Sequence, residues 1–352
     1  MIRTEAKVGP LDRGVTDIVM TDFSELDQLY CSASVDRLRE FYYRVGGIEN
    51  LILFSRARPS PPMSVIIFPS RMESSIVAVV PTANSHSPPF TDFLASAKGL
   101  QVVAVESKGL HFNFARAMNL GIAYALELGP TKVVLSNDDV VLTRPAAELI
   151  QRFARSSARV AVPLVIYGSY RSNAQEVTIF RQGALFRAII DAISRSSPRL
   201  LPRANRAHAL VNQLPRELSK GAVPYFLLGR SVSSYDAPAH KARLGNFGGS
   251  MVEKFNTPLA TVLNIQPFSV VDADLLRDYQ FDETFINSGE DLDLALRLDR
   301  AGIKSSVIDF VVAARSGTSL GFSDVRLWRN TLFERLYMAY KLSATYHFPI
   351  GR

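Results

Sequence analysis

The sequence predicts an α/β fold: a doubly wound, mostly parallel sheet with helices on both faces, preceded by an N-terminal extension and broken by a basic insertion. Three observations predict it. From residue 63 short Val- and Ile-rich runs recur, each ending in Pro, Ser, Asn or Gly. Between them lie stretches with apolar residues at helical spacing. Near-continuous apolar strands alternating with helices imply a sheet covered on both sides, and in such sheets ligands sit at the carboxyl ends of the strands.

Residues 1–60 contain helical stretches such as SVDRLREFYYRV and end in the proline-rich ARPSPP, which reads as a linker. The runs MSVIIFPS, SSIVAVVPTA, GLQVVAVES and PTKVVLSN follow as strands. PPFTDFLASA is the first intervening helix. FNFARAMNLGIAYALELG is the second, with Phe114, Ala117, Met118, Gly121 and Ala125 near helical spacing and a stop at Gly129-Pro130. Residues 165–260 interrupt this rhythm with TIFRQGALFRAIIDAIS, ANRAHALVNQL and a Gly-, Ser- and Pro-rich run through LGNFGGS, an insertion or lid. Alternation resumes at LATVLNIQPFSVVDADLL, then a helix at EDLDLALRLDRAG, the strand KSSVIDFVVAA and a last amphipathic helix near VRLWRNTLFERLYMAYKL. The domain proper is therefore expected over 61–352.

With 352 residues, 47% of them hydrophobic, the chain can bury a large core. Cys31 is the sole cysteine, which excludes an intramolecular disulfide, and the opening MIRTEAKVGPLDRG lacks the apolar centre of a secretory signal. No stretch approaches the roughly 20 apolar residues of a membrane span. The expected location is cytoplasmic, with peripheral contact at the inner face of a membrane through residues 176–243. The charge is concentrated there: between Arg181 and Arg243 eleven basic residues face three acids, a local +8 against +7 for the whole chain, which suits an anionic surface and equally a solvated insertion. ALFRAIIDAI interleaves apolar and basic residues as an interfacial helix does.

Two clusters can carry chemistry. In Val133-Val134-Leu135-Ser136-Asn137-Asp138-Asp139-Val140 an acidic pair follows an apolar strand. Carboxylates there suit Mg²⁺ or Mn²⁺, hard cations that share oxygen ligands with phosphates, while the plainer reading is a turn. In the segment from Phe281 to Asp293 five carboxylates fall within thirteen residues. Ser288 with Asp291 reads as a capping box, and acids in a first turn complement the helix dipole. A carboxylate at a helix start facing a cleft also suits a general base. The histidines His86, His111, His208, His240 and His347 show no metal-ligand spacing, and Trp328 reads as packing.

IVAVVPTAN, FNFARAMNLGIAYAL, VVLSNDDVVL and FDETFINSGEDLDLALRLDRAGIKSSV, in that order, resemble the signature series of the family 2 inverting glycosyltransferases of the GT-A fold. Asn119 and Gly121, and the late Arg329-Asn330, add to the resemblance, which spans roughly residues 74–145 and 265–345. It implies a nucleoside-diphosphate sugar as donor and a hydroxyl on a glycan or lipid-linked acceptor as partner. Pro81, Thr82 and Asn84 would line the nucleotide site, with Glu106 at the base or ribose and Asn119 on the donor side. Asn137, Asp138 and Asp139 would form the diphosphate site, with Asp139 the ligand of Mg²⁺ or Mn²⁺. Asp291 would be the general base and Glu290 its orienting partner. Two departures stand out: Arg315 replaces the family's metal-binding His and would pair with the diphosphate instead, and Asn264-Ile265-Gln266-Pro267-Phe268-Ser269 replaces a Gly-containing acceptor loop. Alternatives from other classes are a catalytically degenerate protein whose insertion binds nucleic acid or another anionic polymer, and a sugar-phosphate nucleotidyltransferase. The second needs a Gly-rich phosphate loop that PTANSHSPP does not offer, and nucleic acid is not the expected partner.

Overall fold

The structure, a computed structural model, describes residues 2–5, 23–70, 75–154, 156–167, 174–182, 228–235, 256–314 and 323–346, with 192 and 214. Strand β1 (Ile2–Glu5) lies at a sheet edge. Helices α1 (Phe23–Tyr30), α2 (Val35–Val45) and α3 (Ile48–Ala57) precede the alternating part. That part runs β2 (Met63–Phe68), β3 (Ile76–Thr82), α4 (Pro88–Ser96), β4 (Gln101–Ser107), α5 (Phe114–Glu127), β5 (Lys132–Ser136), β6 (Val140–Leu142), α6 (Ala146–Ala154) and β7 (Val160–Tyr167). After β8 (Ala174–Gln182), β9 (Leu228–Tyr235) and β10 (Asn256–Leu263) come β11 (Phe268–Asp272), α7 (Leu275–Asp278), α8 (Glu290–Arg300) and β12 (Ser305–Ala314). The described chain closes with α9 (Asp324–Arg326), a π-helical turn over Leu327–Thr331 and α10 (Leu332–Tyr346).

Nine strands form one sheet in the order β1-β2-β4-β3-β5-β11-β7-β12-β6. The α/β class holds, but the sheet is mixed: β3 is parallel to β4 and β5, and β12 to β7, while the other five pairings are antiparallel. The mostly parallel expectation is corrected for a physical reason. A parallel crossover needs a dozen or more residues. Only residues 69–75 separate β2 from β3, and only Asn137–Asp139 separate β5 from β6, so the chain reverses at both places.

The parallel centre is covered on both faces. On β3, Val77 and Val79 join the cluster under α5 with Ala117, Met118 and Ile122, whereas Ala78 and Val80 join Phe90 and Phe93 of α4 and Leu149 and Phe153 of α6. Strand alternation thus feeds two cores from one sheet.

The N-terminal helices are part of the larger of these cores. Leu29, Tyr30, Phe41, Tyr42 and Phe54 pack with Trp328 and Phe333. The Tyr30 hydroxyl donates to the Arg329 carbonyl (2.7 Å), Tyr42 to the Trp328 carbonyl (2.8 Å) and Ser55 to the Thr284 carbonyl (2.6 Å). Arg58, inside the stretch read as a linker, is buried. Trp328 packs as expected, against Tyr42 and beneath Arg39.

Within residues 165–260, β8, β9 and β10 form a three-stranded antiparallel sheet in the order β10-β8-β9. The stretch ALFRAIIDAI apart from Ala192, and the run through LGNFGGS, lie outside the described residues. Among the described residues no helix is long and apolar enough to cross a membrane.

Helix α5 approaches the sheet at a glycine. A Cβ on Gly121 would lie 2.4 Å from Val79 Cγ1 and 3.0 Å from Val105 Cγ2. Gly121→Ala should therefore lower the free energy of unfolding by about 1–3 kcal/mol despite alanine's better helix propensity, as overpacking does. Urea denaturation measures it, and an unchanged midpoint would mean that α5 does not sit this close.

Candidate functional site

A cleft of about 630 Å³ opens where β3, β4 and β5 end. Its lining takes Pro81, Thr82, Ser107 and Asn137–Asp139 from the strand ends and Ser288–Asp291, Asn330 and Glu334 from the start of α8 and the C-terminal helices. Asn264, Gln266 and Pro267, and Tyr30, Arg58, Lys108 and Leu110, are also among the lining residues. The two acidic clusters of the sequence thus share one cavity at the carboxyl ends of parallel strands.

At the strand ends the Thr82 hydroxyl donates to Asp138 Oδ2 at 2.7 Å. Burial raises the Asp138 carboxyl above its usual range, and the Thr82 bond only partly offsets this. The Asn137 amide donates to the Pro267 carbonyl at 2.9 Å, tying the acidic turn to the loop before β11. Three of the expected donor residues lie outside the lining. Asn84 is exposed and accepts from the His86 amide (2.9 Å); Glu106 accepts from the Ser85 amide (2.9 Å) and hydroxyl (2.6 Å). Asn119 is buried elsewhere. Arg315 lies outside the described residues.

Asn119 belongs to a set of asparagines that holds the loop before α8. Its Oδ1 accepts from the Phe281 amide (2.9 Å) and its Nδ2 donates to the Phe281 carbonyl (2.9 Å) and to Glu283 Oε1 (3.0 Å). Asn113 caps α5 and donates to the carbonyls of Glu283 and Phe285, both at 2.9 Å. Asn287 accepts from the Phe114 amide (2.7 Å) and donates to the Phe112 carbonyl (3.0 Å), and Asn330 donates to the Ile286 carbonyl (2.9 Å). Amide side chains suit this because each both donates and accepts.

The five acids of this segment then divide by partner. Asp282 accepts from Tyr337 (2.7 Å) and Lys341 (2.6 Å); Asp293 pairs with Arg297 (2.8 Å) and Lys341 (2.5 Å); Glu283 bonds Asn119 and faces Arg116 at 3.6 Å. Glu290 and Asp291 line the cleft. The capping-box expectation is corrected: Gly289 is the residue that caps α8, left-handed at φ 89°, and the Ser288 hydroxyl donates to Glu334 Oε2 at 2.8 Å instead. Glu290 is 8% exposed, and its Oε2 has no hydrogen-bond partner among the described residues. Burial first, then the Asp291 charge, then Glu334, push its carboxyl up to about 8. The side-chain amide of Gln266 also lines the cleft, with both polar atoms buried and unpartnered among the described residues. Sequence reading passed over Gln266, since nothing local distinguishes it from any loop glutamine.

For a metal, the cleft offers the oxygen atoms of Asn137 and Asp139, a donor set that fits a hard cation taking its remaining ligands from water and phosphate. Elsewhere Asp27, Cys31 and His111 bring donor atoms within 4.8 Å of one another. Arg58 occupies that group: its Nε donates to Asp27 (3.2 Å) and its Nη2 to Cys31 Sγ (3.5 Å), while His111 Nε2 meets Asp27 at 2.6 Å. Burial pushes the Cys31 thiol up. The group ties α1 to the loop after β4, and sequence spacing alone did not reveal it.

No protein-family model matches the chain, and no curated protein matches its sequence. Among solved structures it is similar to the mannosyltransferase PcManGT of Pyrobaculum calidifontis in complex with GDP-mannose and Mn²⁺, with 10% identity over 92% of this chain and 85% of that one, at a TM-score of 0.34. It is also similar to A197 from STIV, at 11% identity over 66% of this chain and 81% of that one (TM-score 0.31). A Bacillus anthracis protein assigned as a glucose-1-phosphate thymidylyltransferase, in complex with a sucrose, covers 75% of each chain at 10% identity (TM-score 0.28). At these scores the likeness fixes neither a family nor an activity.

The Asp282 bonds make loop placement sensitive to acid. Burial alone would raise this carboxyl, but Lys341, Tyr337 and the Thr284 amide bring it down to about 2. Unfolded, it would titrate near 4, as aspartates ordinarily do. Its stabilisation is therefore complete above about pH 5 and lost as pH falls through 2. Asp282→Asn should lower the melting temperature at pH 7 and flatten its decline between about pH 4 and 2. A variant as acid-sensitive as the wild type would remove Asp282 from this role.

Proposed function

We propose that the protein is a glycosyltransferase that moves a sugar from a nucleoside-diphosphate sugar to an acceptor hydroxyl with inversion. The observation that carries the reading is the presence of two acidic sites in one cleft, Asn137–Asp139 at the ends of the parallel strands and Glu290-Asp291 at the start of α8.

Such a reaction needs opposite services on its two sides. The acceptor hydroxyl must lose a proton as it attacks the anomeric carbon, while the departing diphosphate gains negative charge. Asp291 takes the proton in this reading, and Glu290 orients the acceptor. Pro81 and Thr82 line the nucleotide end. Thr82 bonds Asp138, and Asp139, with Asn137, is the candidate holder of Mg²⁺ or Mn²⁺ that the family resemblance implies. That ion, when bound, neutralises the diphosphate. The transferase unit spans residues 61–352 in this reading, with α1 supplying Tyr30 and the segment after α3 supplying Arg58 to the cleft lining.

Asp291→Asn should leave donor binding intact and lower transfer by about 10²–10⁴-fold, the contribution of a positioned base. Product analysis should show an anomeric configuration opposite to the donor's. Near-normal transfer by the variant would exclude Asp291 as the base.

A further inference from the structure

Three carboxylates meet where α8 begins against α10. Glu290 is buried in the cleft lining with Oε2 unpartnered among the described residues, Asp291 lines the same cavity, and Glu334 approaches from α10 with its carboxylate held by Ser288 at 2.8 Å. The approach is close because residue 289 is glycine: a Cβ there would lie 2.5 Å from Glu334 Cγ and 3.1 Å from Phe285 Cε1. Glu334 is 5% exposed, so its charge acts on its neighbours through protein rather than water.

Two nearby cations are engaged elsewhere, Lys341 and Arg329. Lys341 of α10 is bonded to Asp282 (2.6 Å) and Asp293 (2.5 Å). Arg329 donates to the carbonyls of Tyr30 (3.0 Å), Cys31 (3.1 Å) and Ser32 (2.5 Å). Arg326 lines the cleft and is itself held below the usual guanidinium range by burial. The other charged residues in the lining are Asp138 and Asp139 from the turn after β5, with Arg58 and Lys108.

We propose that Glu334 is a positioning residue for the acidic pair: its negative charge, fixed behind Gly289 by Ser288, keeps a proton on Glu290, so that Glu290 presents an O–H donor to the acceptor while Asp291 stays ionised to receive the acceptor's proton. This role rests on the acceptor-side reading of Glu290 and Asp291 given above. Two adjacent carboxyl groups whose surroundings separate their titrations are suited to different tasks in one reaction.

The test is a carboxyl ¹³C titration of the full chain labelled in glutamate, without donor or acceptor, with the Glu290 resonance assigned by its loss in Glu290→Gln. The wild-type midpoint should lie near 8. Glu334→Gln should lower it by about one unit, the scale of a like-charge neighbour. Glu334→Asp, which withdraws the charge by one methylene, should lower it less. A wild-type midpoint in the ordinary glutamate range overturns the proposal without need of any variant. So does a midpoint that neither Glu334 variant moves. A shifted midpoint in a protein that binds no nucleoside-diphosphate sugar would sink the transferase reading alone, and an unmoved midpoint with transfer intact would sink this role of Glu334 alone.

Discussion

The site depends on one constraint, the fastening of the 281–289 loop to the start of α5 by buried asparagine side chains. The loop has no strand or helix to satisfy its backbone, and a buried unpaired amide or carbonyl costs about 1–3 kcal/mol. Asn113, Asn119 and Asn287 tie it to α5 and to the segment before it, and Asn330 ties it to the C-terminal helices. Helix α5 in turn is fixed on β3 and β4 by the absence of a side chain at Gly121. The position of Glu290 and Asp291 relative to Asn137–Asp139 is therefore set by the sheet itself, through a chain of rigid contacts.

Electrostatics completes the arrangement. Most of the acidic residues around α8 are matched: Asp282 and Asp293 share Lys341, and Glu283 shares Asn119 with the backbone. Those bonds leave Glu290 as the carboxyl with an unanswered oxygen, at a helix start where the dipole favours negative charge. Burial opposes that charge and prevails. A buried polar group left in this condition costs folding free energy and calls for an explanation such as a catalytic role or a bound water.

Much of this was legible in the sequence. The apolar runs located β2 to β5, and the first acidic cluster fell at a strand end in the cavity, where ligands of α/β sheets sit. What was not legible was tertiary. Asn119 was assigned to the donor because it recurs beside a glycine in a recognisable series, yet its partners are the backbone groups of Phe281, far along the chain. Ser288 and Asp291 matched a capping pattern, but Gly289 can adopt a left-handed conformation that releases Ser288 toward Glu334. The direction of β2 depended on the length of a loop rather than on its own residues. The N-terminal helices seemed an appendage because they carry no chemical signature; the aromatic residues that embed them, Tyr30, Phe41 and Tyr42, identify a core only once Trp328 and Phe333 are seen beside them.

The central claim is that the cleft holds a nucleoside-diphosphate sugar, and ligand-dependent thermal stability tests it most directly, since a ligand that binds only the native state must raise the melting temperature. Wild-type protein and Thr82→Val would be compared with UDP, GDP and dTDP sugars, each with Mn²⁺, Mg²⁺ or chelator. The account predicts stabilisation by one nucleotide class, diminished by the Thr82 substitution that frees Asp138. No shift with any of these ligands would contradict it.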